Sequence, residues 1–496
     1  MKKKTYIAAY SVIAALVIGA TGFQIYSTNR RAWENKNVIE DKNVLESENY
    51  SGDLVQTIEG TSVDMLSPEF WIRDRGSEIL FSQEEIEDFN KNNPSFVEYY
   101  DEEQSRNLKL FMDDLPDSIP GDVVRSLMET EVDVDIPDAV IPQYAICVER
   151  SVAKTLPSDE FVSDDPDEIF FNDLISAEVM PFTGVVVLSE SRDGEWNYVL
   201  AGTFLGWVKK NTLAVCKDKD QWLSISRPEE FLVVTGSEIV MDETAEPTHS
   251  SGMILPMGTK VKLADDMRSD HESSSEEAYV EGNSTIEDGT DEQTSDKSSI
   301  EIVNGRSTIG SYVVEVPYRD DDGFVQMEKT LIPVSKDVHV GFMTMTSESA
   351  IRQAFKFLGR VYGYGGSLSS NDCSGFIRQV YSCYGFDLPR NATAIAQRSD
   401  LGSIECSVMT PDKKKSIIAE MTPGLPLYME GHIMMCLGTE EGEPYVISSC
   451  ATCIEPEHDT EDIVEAYCVF VSGLDLVRAS GETWLESINY ILWKEY

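Results

Sequence analysis

A glycine-rich run that gives way to a helix at a cysteine sets the terms for this chain. Residues 362–397 read YGYGGSLSSNDCSGFIRQVYSCYGFDLPRNATAIAQ. Phe376, Ile377, Val380, Tyr381 and Tyr384 recur at helical spacing. Asp372 or Asn371 is a suitable N-cap, which puts Cys373 in the first turn. Unpaired N–H groups and the positive helix end favour a thiolate there, and a thiolate is a nucleophile. A cysteine so placed is also an ordinary small core residue, and this stretch alone leaves both readings open.

A chain of 496 residues is too long for one core and predicts several domains. Its formal charge of −48, from 88 acidic and 40 basic residues, excludes nucleic-acid binding through a basic surface. The same charge predicts repulsion from anionic membranes and wall polymers, so any docking must use shape and local contacts. The cysteines number nine, sparse and odd, which argues against a disulfide scaffold. Cys450 and Cys453 have CxxC spacing, but no second CxxC follows, so two packed cysteines are expected and not a metal site. No metal and no cofactor is expected.

Residues 1–27 begin with Lys2 to Lys4 and continue as an apolar run, which reads as a signal peptide or a membrane anchor. The positive charge ahead of the run places the rest of the chain outside the cytoplasm, secreted or held at the outer face of the membrane. Residues 28–60 are polar and acidic, a linker. In 61–130, SQEEIEDFNKNNPSFVEYY predicts a helix capped by Ser82 with Glu85 three residues on, and LPDSIPGDVVRSLMET a second short one. This segment reads as a clip and not as an independent core.

Residues 131–228 turn to short strands. VVVL, a turn at Arg192-Asp193-Gly194, WNYVL and GWV predict a small barrel with Trp196 and Trp207 as core aromatics. Residues 229–345 predict a second barrel, closed by a hairpin at Asp322-Gly323. Its stretch 265–301 is acidic, serine-rich and nearly free of large apolar residues, and reads as a disordered insertion. Residues 346–496 open with the helix SESAIRQAFKFLG, N-capped by Ser347, and continue through the cysteine stretch to apolar strands. Helix first and strands after is an α+β order.

A cysteine nucleophile needs a base within reach, and the base needs an orienter. The five histidines are His249, His271, His339, His432 and His458. His249, His271 and His458 lie in acidic loops, and His339 at the end of the second barrel. His432 begins an apolar strand downstream of Cys373 and is the candidate base, with a buried core histidine as the bland alternative. No G-x-S-x-G and no H-E-x-x-H occurs, which disfavours a serine hydrolase and a zinc peptidase.

The order YxYGG, DCSGF, LPRN, Q, GHIMMCLG resembles the NlpC-type, papain-like cell-wall cysteine peptidases. SQEEIEDFN, the GEWNYV and GWV pair, FLVVTG, LPMGTKVKL and the tail SGLDLVRASGETWLESI further resemble the SH3-like-domain-bearing γ-D-glutamyl-diamino-acid endopeptidases. The resemblance implies a multidomain chain: an α+β papain-like catalytic domain preceded by two small SH3-like β-barrels and a helical N-terminal clip. It implies Cys373 as nucleophile, His432 as general base and Ser448 at the position of the third catalytic residue. It places Tyr362 near the oxyanion, Asp372 and Ser374 on the free amine of a stem peptide, and Arg390 on the substrate side. This chain departs from the family with Tyr364 for a tryptophan, Ala392 for a serine, and Ser448 for the usual His, Asn or Gln. The implied partners are peptidoglycan stem peptides or muropeptides with a free N-terminal L-alanine. Rival readings are a wall-binding scaffold with weak or no catalysis, and an amidase or acyltransferase on the same core.

Overall fold

The computed structural model describes residues 55–72, 76–92, 96–101, 106–128, 132–165, 168–245, 247–264, 300–398 and 401–493. The expected signal or anchor, nearly all of the linker, and residues 265–299 of the acidic insertion lie outside them. Among the described residues no helix is long and apolar enough to cross a membrane.

A six-stranded antiparallel sheet carries the C-terminal region. Its strands are β1 (Ser403–Glu405), β2 (Pro426–Met429), β3 (His432–Glu440), β4 (Glu443–Ile454), β5 (Ile463–Gly473) and β6 (Ile488–Leu492), in the spatial order β1-β6-β2-β3-β4-β5. Residues 432–437 at the head of β3 are all buried. The run has no polar alternation, as expected of a strand covered on both faces. Helix α1 (Ser347–Phe355) and helix α2 (Cys373–Ser382) supply part of that cover: Ala350, Ile351, Phe376, Ile377 and Val380 share one core with Ile433, Met435, Val446 and Ile447. The N-cap of α1 is Thr346 and not the expected Ser347. Thr346 accepts from Ser349 N–H at 3.1 Å, and Ser349 Oγ accepts from Thr346 N–H at 2.9 Å, a reciprocal pair that Ser347 does not form.

Residues from 65–72 and 79–89 belong to this core as well. Met65, Trp71, Phe81, Ile86 and Phe89 are buried in it. Helix Gln83–Asn92 starts at Ser82, whose N–H donates to Glu85 Oε2 at 2.7 Å while Ser82 Oγ accepts from Glu85 N–H at 3.2 Å. The helix stops short of the expected span. The β-favouring residues FVEYY form strand Phe96–Asp101 instead, paired with Arg106–Phe111.

Two further sheets lie between. A seven-stranded antiparallel sheet uses strands from Gln143–Cys147 to Leu213–Val215. Trp196 and Trp207 are buried in its core, together with Val123, Val124 and Leu127. A five-stranded sheet carries the hairpin Ser311–Arg319 with Val325–Pro333, whose turn has Gly323 at φ 92°. The two sheets meet where Val215 N–H donates to the Gly323 carbonyl at 2.9 Å.

Candidate active site

Asp372 has an extended backbone and caps α2, its Oδ1 accepting from Gly375 N–H at 2.7 Å. Cys373 is therefore the first helical residue, as the spacing requires. It is half-buried, and the backbone N–H groups of Ser374 and Ile433 lie near enough to its thiol to favour the anion. Ile433 follows His432 at the head of β3, the strand on which α2 packs. His432 gets there through the two-residue turn Glu430-Gly431 out of β2, with Gly431 at φ 82° and Met429 paired to His432. A cysteine and a histidine 59 positions apart are thus brought to one corner of helix and sheet.

His432 is buried and lies against Trp484, ring centroids 5.1 Å apart. Trp484 opens a short helix capped by Thr483, whose Oγ1 accepts from Glu486 N–H at 3.1 Å. Burial, and then the Arg478 guanidinium, lower the imidazole pKa to about 4, against a weaker opposing pull from Asp372. Burial, and then the Asp372 carboxylate, push the Cys373 thiol up to about 12, although the Ile433 and Ser374 N–H groups and Arg390 favour its anion. At neutral pH Cys373 is therefore a thiol and His432 a neutral imidazole.

Ser448 sits on β4, fully buried. Met435 lies opposite Ile447, so counting on one residue puts Ser448 opposite Met434, on the His432 face of the sheet. Neither Ser448 Oγ nor His432 Nε2 has a hydrogen-bond partner among the described residues, so the two are not bonded to each other.

Asp372 and Ser374 are engaged internally. Arg390 donates from Nη2 to Asp372 Oδ2 at 2.6 Å and from Nη1 to Ser374 Oγ at 2.9 Å. Gly365 N–H also donates to Asp372 Oδ2, at 3.0 Å. Burial raises the Asp372 pKa, but Arg390 and the two backbone donors outweigh it and hold the carboxyl below the usual carboxylate range. Arg390 thus occupies the two side chains that the resemblance gave to a substrate amine. Tyr362 is buried, and burial, Asp372 and Cys373 keep its phenol protonated.

The first sheet reaches this corner. Phe171 stacks obliquely on Tyr362 and Tyr364, at 5.5 and 5.1 Å, and Phe170 lies flat on Tyr467 at 3.9 Å. Gly365 and Gly366 have φ of 62° and 91°, and a Cβ on Gly366 would stand 2.5 Å from Glu178 Cβ. These glycines were legible as punctuation. That Ile175 and Glu178 need the space was not. Cys450 and Cys453 are buried free thiols. Cys450 is electrostatically coupled to Cys373, and the sequence held no signal for that proximity.

A cysteine at the start of a helix that packs on an antiparallel sheet, and a buried histidine at the start of one of that sheet's strands, make an α+β arrangement. Residues 359–442 match the model of the NlpC/P60 family. The matched span holds Cys373 and His432 and ends before Ser448. A comparison with curated proteins finds no match. Among solved structures the chain is similar to an NlpC/P60 endopeptidase from Photobacterium damselae subsp. piscicida, with TM-score 0.59 and 13% identity over 88% of this chain and 97% of that one. It is also similar to an NlpC/P60 family protein from Bacillus cereus ATCC 10987, with TM-score 0.42 and 14% identity over 70% of this chain and 98% of that one. At these identities the first likeness speaks of fold alone, and the second carries no argument.

Proposed function

We propose that this chain is a cysteine endopeptidase of the cell envelope. It would hydrolyse the bond between the γ-carboxyl of D-glutamate and a diamino acid in peptidoglycan stem peptides. One observation supports the reading: in the family-matched segment Cys373 opens a helix that packs on the strand begun by the buried His432. In this mechanism Sγ attacks the γ-carbonyl carbon as the imidazole takes the thiol proton. The Cys373 backbone N–H and the protonated Tyr362 phenol face the oxyanion. His432 returns the proton to the leaving amine, and then draws one from the water that releases the acyl group. Asp372, Ser374 and Arg390 hold the loop that shapes this corner. The two upstream sheets are read as SH3-like barrels, and residues 1–27 as the export signal or anchor. Selection of a free N-terminal L-alanine is assigned to the segment around Phe171, which lies against Tyr362.

The purified protein should cleave a free-amine stem tripeptide and leave its N-acetylated form intact, as followed by mass spectrometry. Cys373→Ala should abolish turnover, and a Cys373→Ala protein as fast as wild type would sink the reading. The unpartnered His432 Nε2 favours one second reading, a wall-binding protein with weak catalysis. Binding of the tripeptide by the wild type without cleavage would select it.

A further inference from the structure

We propose that Glu178 of the seven-stranded sheet and Arg150, in a turn of the same sheet, position the nucleophile of the C-terminal site; the proposal rests on the peptidase reading above. Arg150 lies in the turn before strand Ser151–Lys154, and Glu178 in strand Ile175–Val179. Their side chains form a buried ion pair, 11% and 3% exposed. A guanidinium has five donors in a rigid fork, so one arginine can tie several acceptors at once.

Arg150 uses its fork in this way. Nε donates to Glu178 and Nη1 to the Ser369 carbonyl. Nη2 donates to the Ser370 carbonyl at 2.6 Å and to Asn371 Oδ1 at 3.0 Å. Three consecutive residues are held, and the last stands two positions before Cys373. Ser369 has φ 52°, and its neighbour Leu368 φ 56°, backbone conformations that residues other than glycine adopt only where their surroundings impose them. Asn371 passes the constraint on. Its Nδ2 donates to Gln379 Oε1 at 3.1 Å, and Gln379 Nε2 donates back to Asn371 Oδ1 at 2.9 Å. Gln379 is a residue of α2, the helix that Cys373 begins. The Asn371 carbonyl also accepts from Ser449 Oγ of β4 at 2.8 Å. The fork therefore fixes the loop ahead of Cys373 against both the helix and the strand that build the site.

A pair serving only to join two sheets would change stability alone. A positioning pair changes the chemical step as well, since misplacing a reacting group by about 1 Å costs on the order of 100-fold in rate. The test uses the full chain with Arg150→Met, Arg150→Lys and Gln379→Met. Lysine keeps the charge beside Glu178 but cannot span the carbonyls. If Arg150→Met does not fold, the other two variants carry the test.

Stem-peptide kcat should fall about 10- to 100-fold with KM nearly unchanged, and lysine should not rescue it. Amide exchange should quicken at Gly363, Ser370 and Gly375 and stay unchanged in the hairpin Ser311–Pro333. Unchanged exchange at those three amides overturns the proposal. So does an unchanged kcat in variants whose only defect is a lower unfolding temperature. The exchange measurement needs no substrate. A wild-type chain that cleaves no stem peptide would defeat the peptidase reading, while locally faster exchange would still support the positioning role.

Discussion

At the scale of single residues, the site is an electrostatic compromise around Asp372. The carboxylate raises the Cys373 thiol and simultaneously anchors Arg390 and two backbone donors. Replacing it with Asn would leave Arg390 buried beside a neutral amide. Breaking a buried pair in this way costs about 3–5 kcal/mol, so Asp372→Asn should lower the unfolding free energy extrapolated from urea melts by that amount. The stabilisation has a direction in pH. The folded carboxyl is held below the unfolded value of about 3.9, so its contribution is present above that pH and is lost as pH falls through the lower folded value. The proposed activity would follow the other two groups, since that reaction needs a neutral imidazole and a thiol proton to transfer. With His432 at about 4 and Cys373 at about 12, kcat/KM should fall only as the pH drops through about 4 and stay flat across the neutral range. A half-maximal point near the ordinary histidine value of about 6.5 would show that the burial argument is wrong.

Among elements, the contact that matters most is strand Ile175–Val179 on the loop Tyr362–Asn371. Gly366 can be tested against Gly442, which has φ 85° with nothing within 4 Å of a built Cβ. Alanine at either position strains the backbone by about 1–3 kcal/mol. Only Gly366→Ala also drives a methyl into Glu178. We expect Gly366→Ala to lose clearly more stability than Gly442→Ala in urea melts, and to lose stem-peptide turnover with it. Equal losses would mean that the sheet yields to the extra methyl. Helix α2 illustrates how an element converts a spacing rule into chemistry. Its apolar face is buried against β3 and β4, so its N-terminus, and with it Cys373, comes to the corner where β3 begins.

For the whole molecule, charge is the dominant global property. A net −48 repels itself in the folded state more than in the expanded one. Added salt screens that repulsion, with a Debye length of about 10 Å at 0.1 M. The unfolding temperature should therefore rise by several degrees between low salt and about 0.3 M sodium chloride, as scanning calorimetry would show. A falling or flat profile would mean that favourable exposed ion pairs such as Arg227–Asp113 outweigh the repulsion.

Much of this protein could be read along the chain, because the governing interactions are local. The N-cap at Asp372, the apolar face of α2, the hairpin at Asp322-Gly323 and the turn that starts His432 each depend on residues within a few positions of one another. That Cys373 opens a helix and His432 a buried strand was also reachable, since each lies at the start of an apolar-periodic segment. Where local signals competed, the reading slipped: the N-cap fell one residue late at Ser347, and FVEYY was drawn into a helix that its β-branched and aromatic residues oppose. What the chain order could not show is which distant groups meet. Arg390 on Asp372, Trp484 over His432, and Arg150 with Glu178 beneath the loop before Cys373 join residues separated by 18 to 221 positions. Such contacts have no period and no motif. They arise when packed sheets bring buried charges together, where each charge must find a partner or cost the fold several kcal/mol.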